Sequence, residues 1–225
     1  MKLNLYEEFI LLSLDKVKGK FLIDSLSVNY GLAGAILLEL SQKEKLSINN
    51  KKIVINDQGK TGDKILDDTT ELIRRSRKTR KAKYWVNKIG SKAGDLKYEI
   101  IQQLCDKRII STRKKKFLWI FSATYYPVIY AEPVDEIKNR LKDIVLNFKK
   151  PELENILLLS LMNSCQLTRI LFTDKKDHKT ANKRIKELTK DVEISEAVNQ
   201  TIKEIQAAVL VASTSVFVSA GATNT

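Results

Sequence analysis

A chain of 225 residues that is 43% hydrophobic and 30% charged is long enough to bury a sizeable core without staples, and its composition excludes a disordered polyelectrolyte. Its one histidine, His178, and its two cysteines, Cys105 and Cys165, which lack metal-site spacing, leave a zinc site or a Ser-His-Asp arrangement little to build from. The formal net charge of +13 points instead to a polyanionic partner, either a membrane leaflet or a nucleic acid.

Asn4, with Glu7 three positions on, forms a capping-box pattern ahead of the apolar run 9–14, which predicts a first helix to about Leu14. Glu7 and Glu8 precede that run and Asp15 stops it, so no export signal is read and the chain is expected to stay in the cytosol. "DKVKG" (15–19) then turns the chain. The pattern next predicts a helix over 27–41, in which Gly31, Ala33, Gly34 and Ala35 supply a small-residue stripe for close helix packing. "KLSINNKKIVIN" alternates on either side of Asn49 and Asn50 and reads as a short hairpin. Thr61 or Asp63 can cap a helix that carries Ile65, Leu66 and Leu72 inward. The "TGD" there lacks the glycine spacing and the Lys-Ser/Thr pair of a phosphate loop.

Segments 83–89 and 96–110 are helical by period. Further helices are predicted over 151–171, with Pro151 in the first turn, over 181–189, and over 195–220, with Ser195 as cap. Pro127, Pro133 and Pro151 fall in one connecting region. Both cysteines read as buried thiols in a reducing compartment, and His178, within "TDKKDHKT", as a solvated loop residue. Residues 205–225 carry no charge, but their serines and threonines, and the lack of flanking aromatic or basic residues, favour a buried central helix over a tail anchor. With no internal repeat and no Gly/Ser linker, the expectation is one mainly α domain over 1–225 with small β-hairpins.

The charge is not evenly spread. Residues 1–73 hold 10 Lys/Arg against 11 Asp/Glu, residues 74–116 hold 16 against 3, and residues 117–225 hold 14 against 13. The whole excess therefore sits in the middle stretch, in "RRSRKTRKAK" (74–83) and "RKKK" (113–116), with near neutrality elsewhere. If 109–112 and 117–122 pair as strands, Arg113, Lys114, Lys115 and Lys116 form the loop at the tip. Period two then sets Phe117, Trp119 and Phe121 on one face and Leu118 and Ile120 on the other. A peripheral hairpin normally needs one apolar face, and this one has two. Its places are between helices, against a second subunit, or in the lipid interface with the cations on anionic headgroups.

The blocks "NLYEEFILLSLDKVKGKF", "YGLAGAILLELSQKEKLSI", "TGDKILDDTTELI", "YWVNKI", "LCDKRIIST", "FLWIF" and "YPV" resemble, in order and spacing, the Golgi phosphoprotein 3 family over nearly the whole chain. The resemblance implies a mainly α fold: a buried helical bundle surrounded by amphipathic helices. In eukaryotic members it implies recognition of phosphatidylinositol 4-phosphate at Golgi membranes and binding of the cytoplasmic tails of membrane enzymes. It also implies that the 109–122 hairpin serves membrane insertion or self-association. The family's headgroup tryptophan falls near Asp24, its arginine at Ala33 and its two later basic residues at Gly94 and Lys97; of these only Lys97 keeps the chemistry.

The expected function is that of a non-enzymatic peripheral membrane adaptor, without a cofactor. Its anionic lipid would meet Arg74, Arg75, Arg77, Lys78, Arg80, Lys81, Lys83 and Lys97 together with Arg113, Lys114, Lys115 and Lys116, while Phe117, Leu118, Trp119 and Ile120 anchor. The alternative is a winged-helix-like nucleic-acid binder, which accounts for the charge but leaves Leu118 and Ile120 unexplained and supplies no recognition helix. An enzyme would need a general base, metal or nucleophile with partners, and none is evident.

Overall fold

The computed structural model describes residues 2–57, 59–117, 121–189 and 203–214. The chain runs through α1 (Leu5–Leu12), α2 (Ser25–Gln42), the strands β1 (Leu46–Asn49) and β2 (Lys52–Ile55), α3 (Lys64–Arg74), α4 (Ala82–Gly90) and α5 (Ala93–Asp106). There follow β3 (Arg113–Phe117) and β4 (Phe121–Tyr125), then α6 (Glu132–Leu146), α7 (Leu153–Ser164), α8 (Thr168–Leu171), α9 (Lys175–Leu188) and α10 over 203–214. The fold is mainly α with two small antiparallel hairpins, as expected.

Two helices with apolar residues on nearly every side take the centre. From Ser27 to Ser41, α2 is buried apart from Asn29 and Tyr30, and α7 is buried from Asn155 to Met162. The small-residue stripe of α2 does what its composition suggests: a Cβ on Gly31 would stand 2.2 Å from the Phe9 ring, and one on Gly34 2.5 Å from Val209. These glycines let α1 and α10 close onto α2. Around this pair lie α1, which is buried at every position but Glu8, and α3, α4, α5, α6, α9 and α10, each with one buried stripe. Asp24 opens α2, its carboxylate accepting from Ser27 N at 2.8 Å. In α1, Glu7 reaches back to the Asn4 N–H at 2.9 Å and, itself wholly buried, takes Lys107 Nζ at 2.6 Å.

Several expectations are corrected. The proline region is not all connection: α6 occupies fifteen residues of it, with Pro133 in its first turn and Val134, Ile137, Leu141, Ile144 and Val145 buried at helical spacing. The helix expected over 151–171 is broken into α7 and α8, because Gln166 takes a left-handed φ of 59° between them. His178 lies on α9 rather than in a loop, half-buried, with the Asn182 amide against its ring. The first hairpin turns at Asn50 and Lys51, with φ of 48° and 62°, one position beyond the expected pair. Cys105 is half-buried, and only Cys165 is fully buried. On α10, Ile205 and Val209 are buried whereas Leu210 and Val211 are exposed, so this helix covers the bundle with one face rather than running through its centre. The expected cap Ser195 and residues beyond 214 lie outside the described residues. No helix among the described residues is long and apolar enough to cross a membrane.

Candidate functional site

The basic hairpin is built differently from the strand pairing expected for it. Arg113 pairs with Tyr125, Lys115 with Ala123 and Phe117 with Phe121, so the four cations are strand residues, not the tip. The reason is the anchorage of the base. Ile109 and Ile110 are core residues, Ile110 bridges Val128, and the Ile109 carbonyl accepts from Ile129 N and Tyr130 N. Pairing then propagates outward from there. Leu118, Trp119 and Ile120, which join the strands, lie outside the described residues.

A short turn is fastened to the same base. Asp15 organises it: its carboxylate accepts from Val17 N and Lys18 N, and its carbonyl from Gly19 N. The hydrogen bond from the Lys18 N–H leads in holding the Asp15 carboxyl below its ordinary range. Gly19 sits at φ +66°, where a Cβ would stand 2.3 Å from Pro127 N, and its carbonyl accepts from Tyr126 N at 2.8 Å. Only glycine allows this approach.

The approach gathers charge. Lys18, Lys20, Arg113 and Lys115 line one hollow with Tyr125 and Pro127, and Lys20 and Lys115 stand 5.5 and 5.9 Å from the Tyr125 ring centre. Period two puts Arg113 and Lys115 on this face and Lys114 on the other. Beside it, Lys97 lies 5.4 Å over the Phe21 ring, which meets Tyr126 edge-on. Half-burial with no countercharge lowers the Lys97 pKa. Among the described residues, none of Lys18, Lys20, Lys97, Arg113 and Lys115 forms an ion pair. Val17, Ile129 and Tyr130 stand out from the same base, Val17 being 82% exposed, and the Lys16 carbonyl holds Val128 N at 3.1 Å.

The other basic run is elsewhere. Arg74 and Arg75 share the single carboxylate of Glu71, which they pull down to about 2 and which offsets one of their two charges. Arg77, Lys78, Arg80, Lys81 and Lys83 line a second hollow with Lys52, and it shares no residue with the first. The first hollow adjoins the start of α2, since Lys20 and Phe21 lead into its cap Asp24. The second adjoins the far end, because Lys81 bridges Lys52 on the hairpin that follows α2, and α4 then runs back until Gly90 meets Tyr30. With 18 residues in α2, the two ends are about 27 Å apart at a rise of 1.5 Å per residue.

The remaining headgroup positions hold no cation here. Asp24 is engaged as a cap, Ala33 is wholly buried, and a Cβ on Gly94 would meet open space. The sequence reading missed Lys18, Lys20 and Lys52. The first two lie in "KVKGK", three cations around a glycine, but the overall neutrality of residues 1–73 concealed them.

Two comparisons bear on this arrangement. A family model described as Golgi phosphoprotein 3 (GPP34) matches residues 5–205. Vacuolar protein sorting-associated protein 74 of Schizosaccharomyces pombe is 28% identical over 175 residues, covering 68% of this chain and 51% of its own length. The chain thus spans about half the length of that curated relative.

Proposed function

The chain belongs to the Golgi phosphoprotein 3 family, and we propose that it acts as a peripheral membrane adaptor that docks on anionic phospholipid through the hairpin end of the molecule. The observation that carries this reading is the unpaired set Lys18, Lys20, Lys97, Arg113 and Lys115 beside exposed Val17, Ile129 and Tyr130. Lys114 and Lys116 add to its charge. Phe117, Leu118, Trp119 and Ile120 supply the apolar anchor beyond it. Arg74 and Arg75 are committed to Glu71, and the cations of 77–83 lie at the other end of α2.

Each cation near an anionic leaflet contributes roughly 1 kcal/mol, and each inserted apolar side chain roughly 1.5–3 kcal/mol at most. Five of the first and two of the second reach about −8 kcal/mol, near micromolar affinity. Neither set alone holds the protein at a bilayer. On this reading the adaptor works on the cytoplasmic face and presents the rest of its surface to partners such as the tails of membrane enzymes. The lipid it selects carries generic negative charge, because only Lys97 remains of the headgroup set.

Cosedimentation with phosphatidylserine vesicles near 0.15 M salt tests this. The double variant Lys20→Glu/Arg113→Glu should lose binding by at least about tenfold. Wild-type cosedimentation that the variant leaves unchanged would refute the assignment.

A further inference from the structure

The hollow at the far end of α2 is not accounted for by membrane docking. Its charge comes from Lys52, Arg77, Lys78, Arg80, Lys81 and Lys83, all exposed, and among the described residues none of the six has an ion-pair partner. Neither a carboxylate nor an aliphatic side chain lines it. By contrast, the adjoining hollow beside α3 contains Asp67, Asp68 and Glu71 alongside its cations. The positive charge of the 77–83 hollow is therefore uncompensated by design of the local sequence, not by general lysine content.

The backbone adds donors. Among the described residues, no hydrogen bond runs from the N–H groups of residues 77–81 to a protein acceptor, although the Arg80 carbonyl is tied to Ile53 N at 2.8 Å. The segment is thus fixed in place while its donors stay free. Arg80 is fixed too, its guanidinium 5.0 Å over the Tyr84 ring. A stacked guanidinium keeps its planar edge for an oxyanion. Thr79 and Asn87 supply neutral polar groups at the rim.

From this we propose that the 77–83 hollow is a second binding site, for a soluble anion that carries several closely spaced phosphates. Three features select that chemistry. A bilayer would need aliphatic anchors, and among the lining residues the half-exposed Tyr84 is the one hydrophobic side chain. A single-stranded nucleic acid would stack its bases on a free aromatic face, but Arg80 already sits over the half-exposed Tyr84 ring, which also meets the Trp85 ring edge-on at 5.1 Å. An acidic peptide brings one negative charge on each carboxylate, against up to two on each phosphate, and so matches six unpaired cations less closely. Clustered phosphates need only cations and N–H donors, with up to two negative charges for each group. This inference stands independently of the membrane reading, since it uses none of the same residues.

Isothermal titration with inorganic tripolyphosphate near 0.15 M salt is the test. Wild-type protein should bind it, Lys78→Glu/Lys83→Glu should weaken binding by at least about tenfold, and Lys20→Glu/Arg113→Glu should leave it unchanged. Vesicle cosedimentation of the 78/83 variant should match wild type, which separates failure of this site from failure of membrane docking. Should charge reversal unfold the protein, as read by thermal melting, Lys78→Gln/Lys83→Gln replaces it with the same expectation in smaller degree. The proposal is overturned if wild type does not bind tripolyphosphate, or if both 78/83 variants bind it as wild type does. It is equally overturned if those residues govern binding to poly-glutamate, single-stranded RNA or phosphatidylserine vesicles and not to tripolyphosphate.

Discussion

Glu39 is nearly buried on α2, where its carboxylate accepts from Leu5 N at 2.5 Å and meets Lys43 at 3.6 Å. Burial raises its pKa, and the Leu5 and Lys43 contacts only partly oppose this. A carboxyl whose pKa is higher folded than unfolded contributes stability that is complete below its unfolded value, near 4.3, and is lost as pH rises through the folded value. Glu39→Gln keeps an acceptor for Leu5 without the buried charge. Its melting temperature relative to wild type should therefore climb between pH 4 and pH 7, and a flat or falling difference would contradict the assignment. The cysteines divide in a way the sequence did not show, since both lie in regular apolar patterns. Burial pushes the Cys165 thiol up to about 12, whereas Cys105 is half-buried against Thr112. A thiolate reagent should titrate one thiol in the native protein, Cys105, and the second only on unfolding.

At the level of elements, the apolar period carried most of the helices; the cap Asn4 was readable as such, and the cap Asp63 as one of two candidates with Thr61. The misses have local causes. Three prolines drew a long connection, although one of them stands at the first turn of α6, where its missing N–H does no harm. The break after α7 depends on one left-handed residue, Gln166, whose type does not announce it. In the second hairpin the apolar run suggested a strand and the cations a loop, because the anchor that sets the register, Ile110 against Val128, is a tertiary contact. Two glycines test how these elements are held. Gly31→Val places methyls into Phe9 and Cys165 and should lower stability by about 1–3 kcal/mol in denaturant unfolding. Gly19→Ala adds a Cβ into Pro127 at a left-handed φ, so it should loosen the 15–20 turn and weaken vesicle binding without removing a charge. Unaltered vesicle binding by Gly19→Ala would show that the turn does not position Lys18 and Lys20.

For the whole molecule, the partition of charge along the chain was legible, but not its distribution in space. The two basic runs flank one segment in sequence, while α2 holds them at opposite ends, and the turn that completes the hairpin surface comes from the first twenty residues. Family membership fixed the architecture, and the headgroup positions showed where this chain departs from the pattern. What remains is a molecule with uncompensated positive charge at both ends of its central helix and exposed aliphatic side chains beside one of them. The two tryptophans are suited to test that polarity, because Trp85 is buried in the bundle and Trp119 lies in the segment joining β3 and β4. In a Trp85→Phe background, fluorescence of Trp119 with vesicles of brominated acyl chains reports directly on insertion. Quenching with phosphatidylserine vesicles and none with phosphatidylcholine vesicles is the predicted result; unquenched fluorescence from protein that cosediments with the phosphatidylserine vesicles would contradict the account.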